Sequence, residues 1–313
     1  MAIKVCVMVG LPASGKSFRG KEFIENRGYD VLISSDSIRK ELFGSEQDQS
    51  NNKLVFDVYY NRLKEALKNK KNVVLDATNC TYKTRRRIFT EIHSLKLDSN
   101  IEVTAWVMNT PLETVLKRDK NRDRSVGDSV IYKFLSSYQH PQYFEGFDSV
   151  VYDRFSIFNS NEYDKIIGEM NTFNQDNPHH IYTLGQHCER VANNYNKNDT
   201  MWWAGKLHDV GKLSTKKFDE NHIAHYYNHD CVGAYYIVSH TELVNLRSWE
   251  LNKVLFIINN HMHAHNDYNG GKAEEKYRKL FGDEWFDELM QFAEYDRRAS
   301  GTYEGKLKDK QNC

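Results

Sequence analysis

The run Gly10-Leu11-Pro12-Ala13-Ser14-Gly15-Lys16-Ser17 fits G-x-x-x-x-G-K-[ST] at every fixed position, directly after an apolar strand pattern and directly before a helical one. Such a loop works only between a strand and a helix, because its backbone N–H groups must close around phosphates at a helix N-terminus. The first part of the chain is therefore expected to be α/β and to bind ATP. Gly10, Ser14 and Gly15 shape the loop, Lys16 neutralises the β/γ oxygens, and the Ser17 hydroxyl reaches Mg²⁺. A glycine turn beside a solvent-facing lysine would need neither the strand nor the helix.

With 313 residues, the length suggests two domains at roughly 150 residues each. Residues 1–152 alternate β-branched runs (Ile3–Val9, Val31–Ser34, Val73–Leu75, Val103–Met108) with amphipathic stretches, a pattern that implies a parallel sheet. From Tyr163 onward the apolar period is helical, as in Leu184, Cys188 and Val191. The polar run around Phe155 to Asn161 marks the junction. Apolar residues make up 40% and mean hydropathy is −0.72, with no run near the roughly 20 apolar residues of a bilayer span, so no membrane association is expected. The amino terminus has no basic segment or cleavage site of a secretory signal, and a cytoplasmic location is expected. Cys6, Cys80, Cys188, Cys231 and Cys313 form no C-x-x-C pair and read as free thiols.

At strand ends beyond the phosphate loop stand Ser34-Ser35-Asp36-Ser37-Ile38-Arg39 and Asp76-Ala77-Thr78-Asn79, which face the crevice that the loop opens on. Asp36 can accept a hydroxyl proton; as a plainer alternative, each acid caps the helix that follows. The run from Arg118 to Arg124 reads either as a mobile arginine segment or as a solvated face. Together these residues resemble the phage-type polynucleotide kinases of the P-loop kinase superfamily, over about residues 3–152. The resemblance implies Asp36 as general base, Arg39 as a contact to the acceptor's phosphate, and Asp76, Thr78 and Asn79 as holders of the acceptor. It also implies Arg118, Arg122 and Arg124 as lid arginines, Arg118 on the nucleotide.

The histidines shift the composition: most of the 13 lie between His179 and His265. His187, His208-Asp209, His229-Asp230, His261 and Asp296 form an H…HD…H…H…D series, with Lys212 after Val210-Gly211. Imidazoles and carboxylates without thiolates suit Mn²⁺, Ni²⁺, Co²⁺, Fe or Zn²⁺, and two adjacent side chains can bracket one ion at a helix end. This series resembles the HD phosphohydrolase superfamily over about residues 179–300. The resemblance implies His187, His208, Asp209 and Asp296 as ligands of the primary metal, His229 and His261 at a second metal or the phosphate, and Lys212 near the phosphate. Asn228–Ala234 and Glu294–Ala299 are similar to elements of HD domains attached to tRNA nucleotidyltransferases, which process cyclic phosphate ends. His263 and His265 read as decoration of a loop before Gly270, and His179-His180 as a surface pair, although similar leading residues stand at the entrance of the site in HD domains.

The fold expected is thus a two-domain chain, with an N-terminal α/β P-loop kinase fold built on a parallel sheet over residues 1–155 and a C-terminal all-α HD phosphohydrolase over 163–305. The activities implied are a 5′-hydroxyl polynucleotide kinase and a 2′,3′-cyclic phosphodiesterase or 3′-phosphatase, acting on RNA ends in preference to DNA, with a separate ligase as a further partner. Lys+Arg and Asp+Glu both number 43, so any nucleic-acid path must be local. Lys83, Arg85, Arg86 and Arg87 are its candidates, with a solvated helix face as the equal alternative. The rival is a nucleoside or small-molecule kinase joined to a nucleotide phosphohydrolase.

Overall fold

The apolar run Ile3–Val9 forms the central strand (β1) of a five-stranded parallel sheet and is buried at every position except Lys4, as a strand covered on both faces requires. The fold is that of a computed structural model, which describes residues 2–268 and 270–301. Cys313, the tail from Lys306 and residues 302–305 of the expected second domain lie outside them. The chain divides into two compact units, Met1–Arg154 and Phe155–Cys313.

In the first unit β1 is followed by α1 (Lys16–Asn26), β2 (Val31–Ser34), α2 (Ser35–Phe43), α3 (Asn52–Lys68), β3 (Val73–Asp76), α4 (Tyr82–Ser94), β4 (Ile101–Val107), α5 (Leu112–Lys120), α6 (Asp128–Leu135) and β5 (Ser149–Tyr152). The strand order β2-β3-β1-β4-β5 puts β3 and β4 on either side of β1, with Val5 level with both Val73 and Val103. Successive connections diverge at β1, so the crevice opens at its carboxyl end, where the phosphate loop stands. β5 is a short edge strand that the sequence pattern did not reveal.

Helix α4 corrects one expectation. Its apolar positions Ile88, Phe89 and Ile92 face the core, and Arg85 lies on that same side. Arg85 is therefore fully buried rather than part of a basic surface path. Its guanidinium meets Glu145 through Nε (2.8 Å) and Nη2 (2.9 Å) and donates from Nη1 to the carbonyls of Asn79 and Gln139. Arg87 pairs with Glu91, which leaves Lys83 and Arg86 as the exposed cations of that helix with no ion pair among the described residues. Removing one partner of such a buried pair strands the other charge, at a cost of about 3–5 kcal/mol. Arg85→Met is expected to destabilise the first unit by that amount in urea unfolding, and Arg85→Met with Glu145→Leu to recover most of it. A single variant within 1 kcal/mol of wild type, about the value of an exposed pair, would contradict this.

The second unit is helical: α7 (Ser160–Thr172), α8 (Leu184–Ala192), α9 (Thr200–Leu207), α10 (Lys212–Thr215), α11 (His229–Ser239), α12 (Ser248–Asn266), α13 (Gly271–Phe281) and α14 (Asp283–Ala299). A two-residue hairpin, β6 (Lys217–Phe218) with β7 (Ala224–His225), interrupts it and departs from the all-α expectation. Among the described residues no helix is long and apolar enough to cross a membrane.

Candidate active sites

The phosphate loop ends in Gly15, which N-caps α1 with φ 102°, a left-handed conformation open to glycine without strain. Lys16 turns its ammonium back onto the loop, donating to the carbonyls of Gly10 (3.0 Å) and Leu11 (2.7 Å). Burial lowers its pKa, against the opposing pull of Asp76. The Ser17 hydroxyl donates to Asp76 Oδ2 at 2.8 Å, so the hydroxyl expected on Mg²⁺ and the acid at the end of β3 meet at one point. Burial raises the Asp76 pKa, while Lys16 and Ser17 hold it down.

Neither strand-end acid is used as a cap. Ser34 caps α2, accepting from the Ser37 amide, and Thr81 caps α4, accepting from Thr84. Asp36 Oδ1 lies 2.7 Å from Arg39 Nη1, and Oδ2 lies 3.8 Å from Arg124 Nη1. Its side chain is 46% exposed, which leaves it open to an incoming hydroxyl. Arg39 is buried and extends Nη2 to Asn52, while its Nε has no hydrogen-bond partner.

The other expected residues occupy different positions. Arg124 also pairs with Glu46, Arg122 pairs with Asp119, and Arg118 reaches the Ser14 carbonyl at 3.4 Å. The Thr78 carbonyl accepts from the Gly10 amide at 3.0 Å. Asn79, at φ 47°, directs its amide to the Met8 carbonyl at 2.8 Å, so its side chain joins β1 to the turn after β3.

The second unit gathers residues from five helix ends and faces. His187 comes from α8, His208 C-caps α9 with Asp209 next to it, His229 begins α11, His261 lies within α12 and Asp296 within α14. Asp209 is the hinge of the arrangement. Its Oδ2 faces Nε2 of His187 and of His208, each at 3.3 Å, while Oδ1 faces Nε2 of His229 (3.1 Å) and of His261 (3.5 Å). Asp296 Oδ1 closes the first half, 2.9 Å from His187 and 3.4 Å from His208. Gly211 makes the approach possible, since a Cβ there would sit 2.0 Å from the His229 carbonyl.

The donor set fits divalent metal. Nδ1 of His208, His229 and His261 lies 3.0, 2.7 and 2.8 Å from the carbonyls of Gly205, Tyr226 and Ile258. A carbonyl only accepts, so each Nδ1 carries a proton and each ring turns its Nε2 inward, where a bound ion would take the place of any proton there. Ligand atoms of His187, His208 and Asp296 lie within 4.8 Å of one another, as do those of Asp209, His229 and His261. Cys188 Sγ faces the outer Nδ1 of His208 at 3.9 Å, so the inward-facing set is nitrogen and oxygen. Without an ion, protons must supply the positive charge. Burial opposes charge on His187, yet its bonds to Asp209 and Asp296 lift its pKa to about 9. Burial likewise opposes ionisation of both acids, and the positive field of Lys212 and His208 on Asp209, and of His208 on Asp296, holds them well below the usual range.

Lys212 Nζ lies 2.7 Å from Asp209 Oδ2 and donates to Gln175 Oε1 at 3.0 Å. His180 is no surface decoration: its Nε2 stands 3.4 Å from Lys212 Nζ, and its ring packs edge-on against His187. Burial and the nearby Lys212 lower its pKa to about 3. His265 lies on α12, not in a loop, with Nε2 2.8 Å from Asp296 Oδ2. Its H-x-x-x-H spacing from His261 was the available signal. Gln175 had none, since its partner is 37 residues away.

Comparison with known proteins divides the chain in the same way. An AAA domain family matches residues 5–141, and an HD domain family matches residues 179–297. The L-seryl-tRNA(Sec) kinase of Methanococcus maripaludis is 32% identical over 145 residues, covering 43% of this chain and 52% of that protein. The chain thus spans about half the length of the curated relative it matches. Among solved structures, a chain of the Pnkp1/Rnl/Hen1 complex matches at 24% identity and TM-score 0.33, over 37% of this chain and 39% of that one. A fungal RNA kinase matches at 21% identity and TM-score 0.37, over 51% and 77%. The chain thus joins an AAA-type P-loop domain to an HD domain.

Proposed function

We propose that this union of a P-loop kinase domain and an HD domain heals nucleic-acid ends, phosphorylating a 5′-hydroxyl and removing a 3′ or 2′,3′-cyclic phosphate. The observation that carries the reading is the pairing, in one chain, of an open carboxylate beside a phosphate loop with a histidine–carboxylate cluster hinged on Asp209. The two reactions are complementary, since together they convert the ends left by ribonuclease cleavage into ends that can be joined. RNA is favoured because the curated relative is named for an acceptor carried on a tRNA.

In the kinase site the Gly10–Ser17 loop holds the ATP phosphates, and Ser17 with Asp76 provides the oxygens for Mg²⁺. Asp36 takes the proton of the 5′-hydroxyl as its oxygen attacks the γ-phosphorus and the bond to ADP breaks. Arg39 holds the acceptor's phosphate. Arg118, Arg122 and Arg124 neutralise the transferring group once they exchange their present carbonyl and carboxylate partners for phosphate. In the HD site His187, His208, Asp209 and Asp296 would hold one ion and His229 and His261 a second across Asp209. A bound ion supplies a water whose pKa is lowered toward about 7. Lys212, poised on Asp209 and Gln175, is placed to bind the phosphate.

Asp36→Asn keeps the shape but not the basicity. It is expected to slow 5′ phosphorylation by about 10²–10⁴-fold, the range for a general base, with ATP binding unchanged in a fluorescent-nucleotide titration. The acceptor class is checked by competition. Unlabelled 5′-hydroxyl oligonucleotides are expected to suppress labelling of an RNA acceptor where equal concentrations of nucleosides do not; suppression by nucleosides would favour a small-molecule kinase.

A further inference from the structure

Asp296 divides its carboxylate between two environments. Oδ1 turns inward to His187 and His208, whereas Oδ2 meets Nε2 of His265 at 2.8 Å. His265 stands four residues beyond His261 on α12, so the two rings share one face of that helix. Its side chain is 18% exposed, which puts it at the rim of the cluster. Four of the other five inward-facing groups are braced as well, whereas His187 Nδ1 has no hydrogen-bond partner among the described residues. His208, His229 and His261 are held through Nδ1 by backbone carbonyls, and Asp209 is held by Lys212.

We propose that His265 is a positioning residue of the metal centre, donating its Nε2 proton to Asp296 Oδ2 and so holding Oδ1 toward the ion shared with His187 and His208. The inference rests on the metal reading given above. A carboxylate turns easily about its terminal torsion, and an ion that uses one oxygen must stop that rotation on binding. A donor on the other oxygen stops it beforehand without competing for the ion. Contacts of this outer kind are worth about 10–100-fold in metal affinity. Helix α12 also carries His261, which faces the opposite oxygen of Asp209. One rigid helix thus sets a ligand of one half-site and the orientation of a ligand of the other. The competing explanation is a plain brace between α12 and α14, which pack together; such a brace would affect stability but not affinity.

The test uses the full chain stripped with chelator and dialysed against graded Mn²⁺, with bound metal measured by elemental mass spectrometry and thermal melting in chelator recorded alongside. His265→Ala is expected to weaken Mn²⁺ affinity about 10–100-fold while melting like wild type in chelator. His265→Gln, whose amide can donate to the same carboxylate, is expected to recover most of the affinity. Wild-type Mn²⁺ affinity in His265→Ala, or no recovery in His265→Gln, overturns the proposal. A wild-type chain that takes up no Mn²⁺ overturns the metal reading itself, and this inference with it.

Discussion

Replacing Lys16 with alanine is expected to cut ATP-dependent phosphorylation of a 5′-hydroxyl oligonucleotide by at least about 10²–10³-fold, the loss typical of one positioned donor at a developing charge. Lys16 is buried, and its ammonium already sits on the Gly10 and Leu11 carbonyls, a position from which it needs only a small movement to reach phosphate oxygens. Lys16→Met fills the same space without the charge and separates the electrostatic effect from any loosening of the loop. Both variants are expected to fail alike in a kinetic assay with labelled ATP, with hydrolysis by the HD domain untouched. Phosphorylation by Lys16→Met within tenfold of wild type would remove the loop from the reaction.

Asp209→Ala is expected to have a comparable effect in the second unit, because both halves of the cluster meet at its two oxygens. Its loss removes a ligand from each half and strands Lys212 beside buried imidazoles. Metal content is expected to fall below one ion per chain and hydrolysis of a phosphomonoester by more than about 100-fold, beyond the range of outer-shell changes. Elemental mass spectrometry of the purified variant and a chromogenic phosphate assay report the two quantities, and wild-type values for both would contradict the role.

The same cluster sets a pH dependence. In chelator, His187 has a folded pKa of about 9, above the unfolded value of about 6.5. Its contribution to stability is therefore fully present below about pH 6.5 and is lost as pH rises through the folded value. Metal-free protein is expected to show a melting transition that falls across that window, whereas metal-loaded protein, with ions in place of protons, is expected to show a weaker slope.

Several features were legible in the sequence because their chemistry depends on local spacing. The phosphate loop needs only a strand before it and a helix after it, and His208-Asp209 carries its meaning as adjacent residues. Arg85 illustrates the opposite case. Its charge suggested a surface, yet Arg85, Ile88, Phe89 and Ile92 share a helical stripe, and the deciding partner, Glu145, lies 60 residues away. His265 read as a loop residue because a helix end near glycines is poorly marked, whereas α12 continues to Asn266. His180 and Gln175 lie in the segment between α7 and α8, and only the fold brings that segment to Lys212. Strand β5 has four residues at a sheet edge, too few for periodicity to stand out. Charges and short strands acquire their roles from distant partners, so these were the features that only the structure disclosed.

The central claim is that one chain carries out both end reactions. The most direct measurement incubates the purified protein with an RNA oligonucleotide bearing a 5′-hydroxyl and a 2′,3′-cyclic phosphate, with Mg²⁺, Mn²⁺ or Ni²⁺ and with or without ATP, and reads both ends by mass spectrometry. The account predicts gain of a 5′ phosphate only with ATP, and opening or removal of the cyclic phosphate with metal alone. Two untouched ends in a folded, metal-loaded protein would contradict it and move both sites to small-nucleotide substrates.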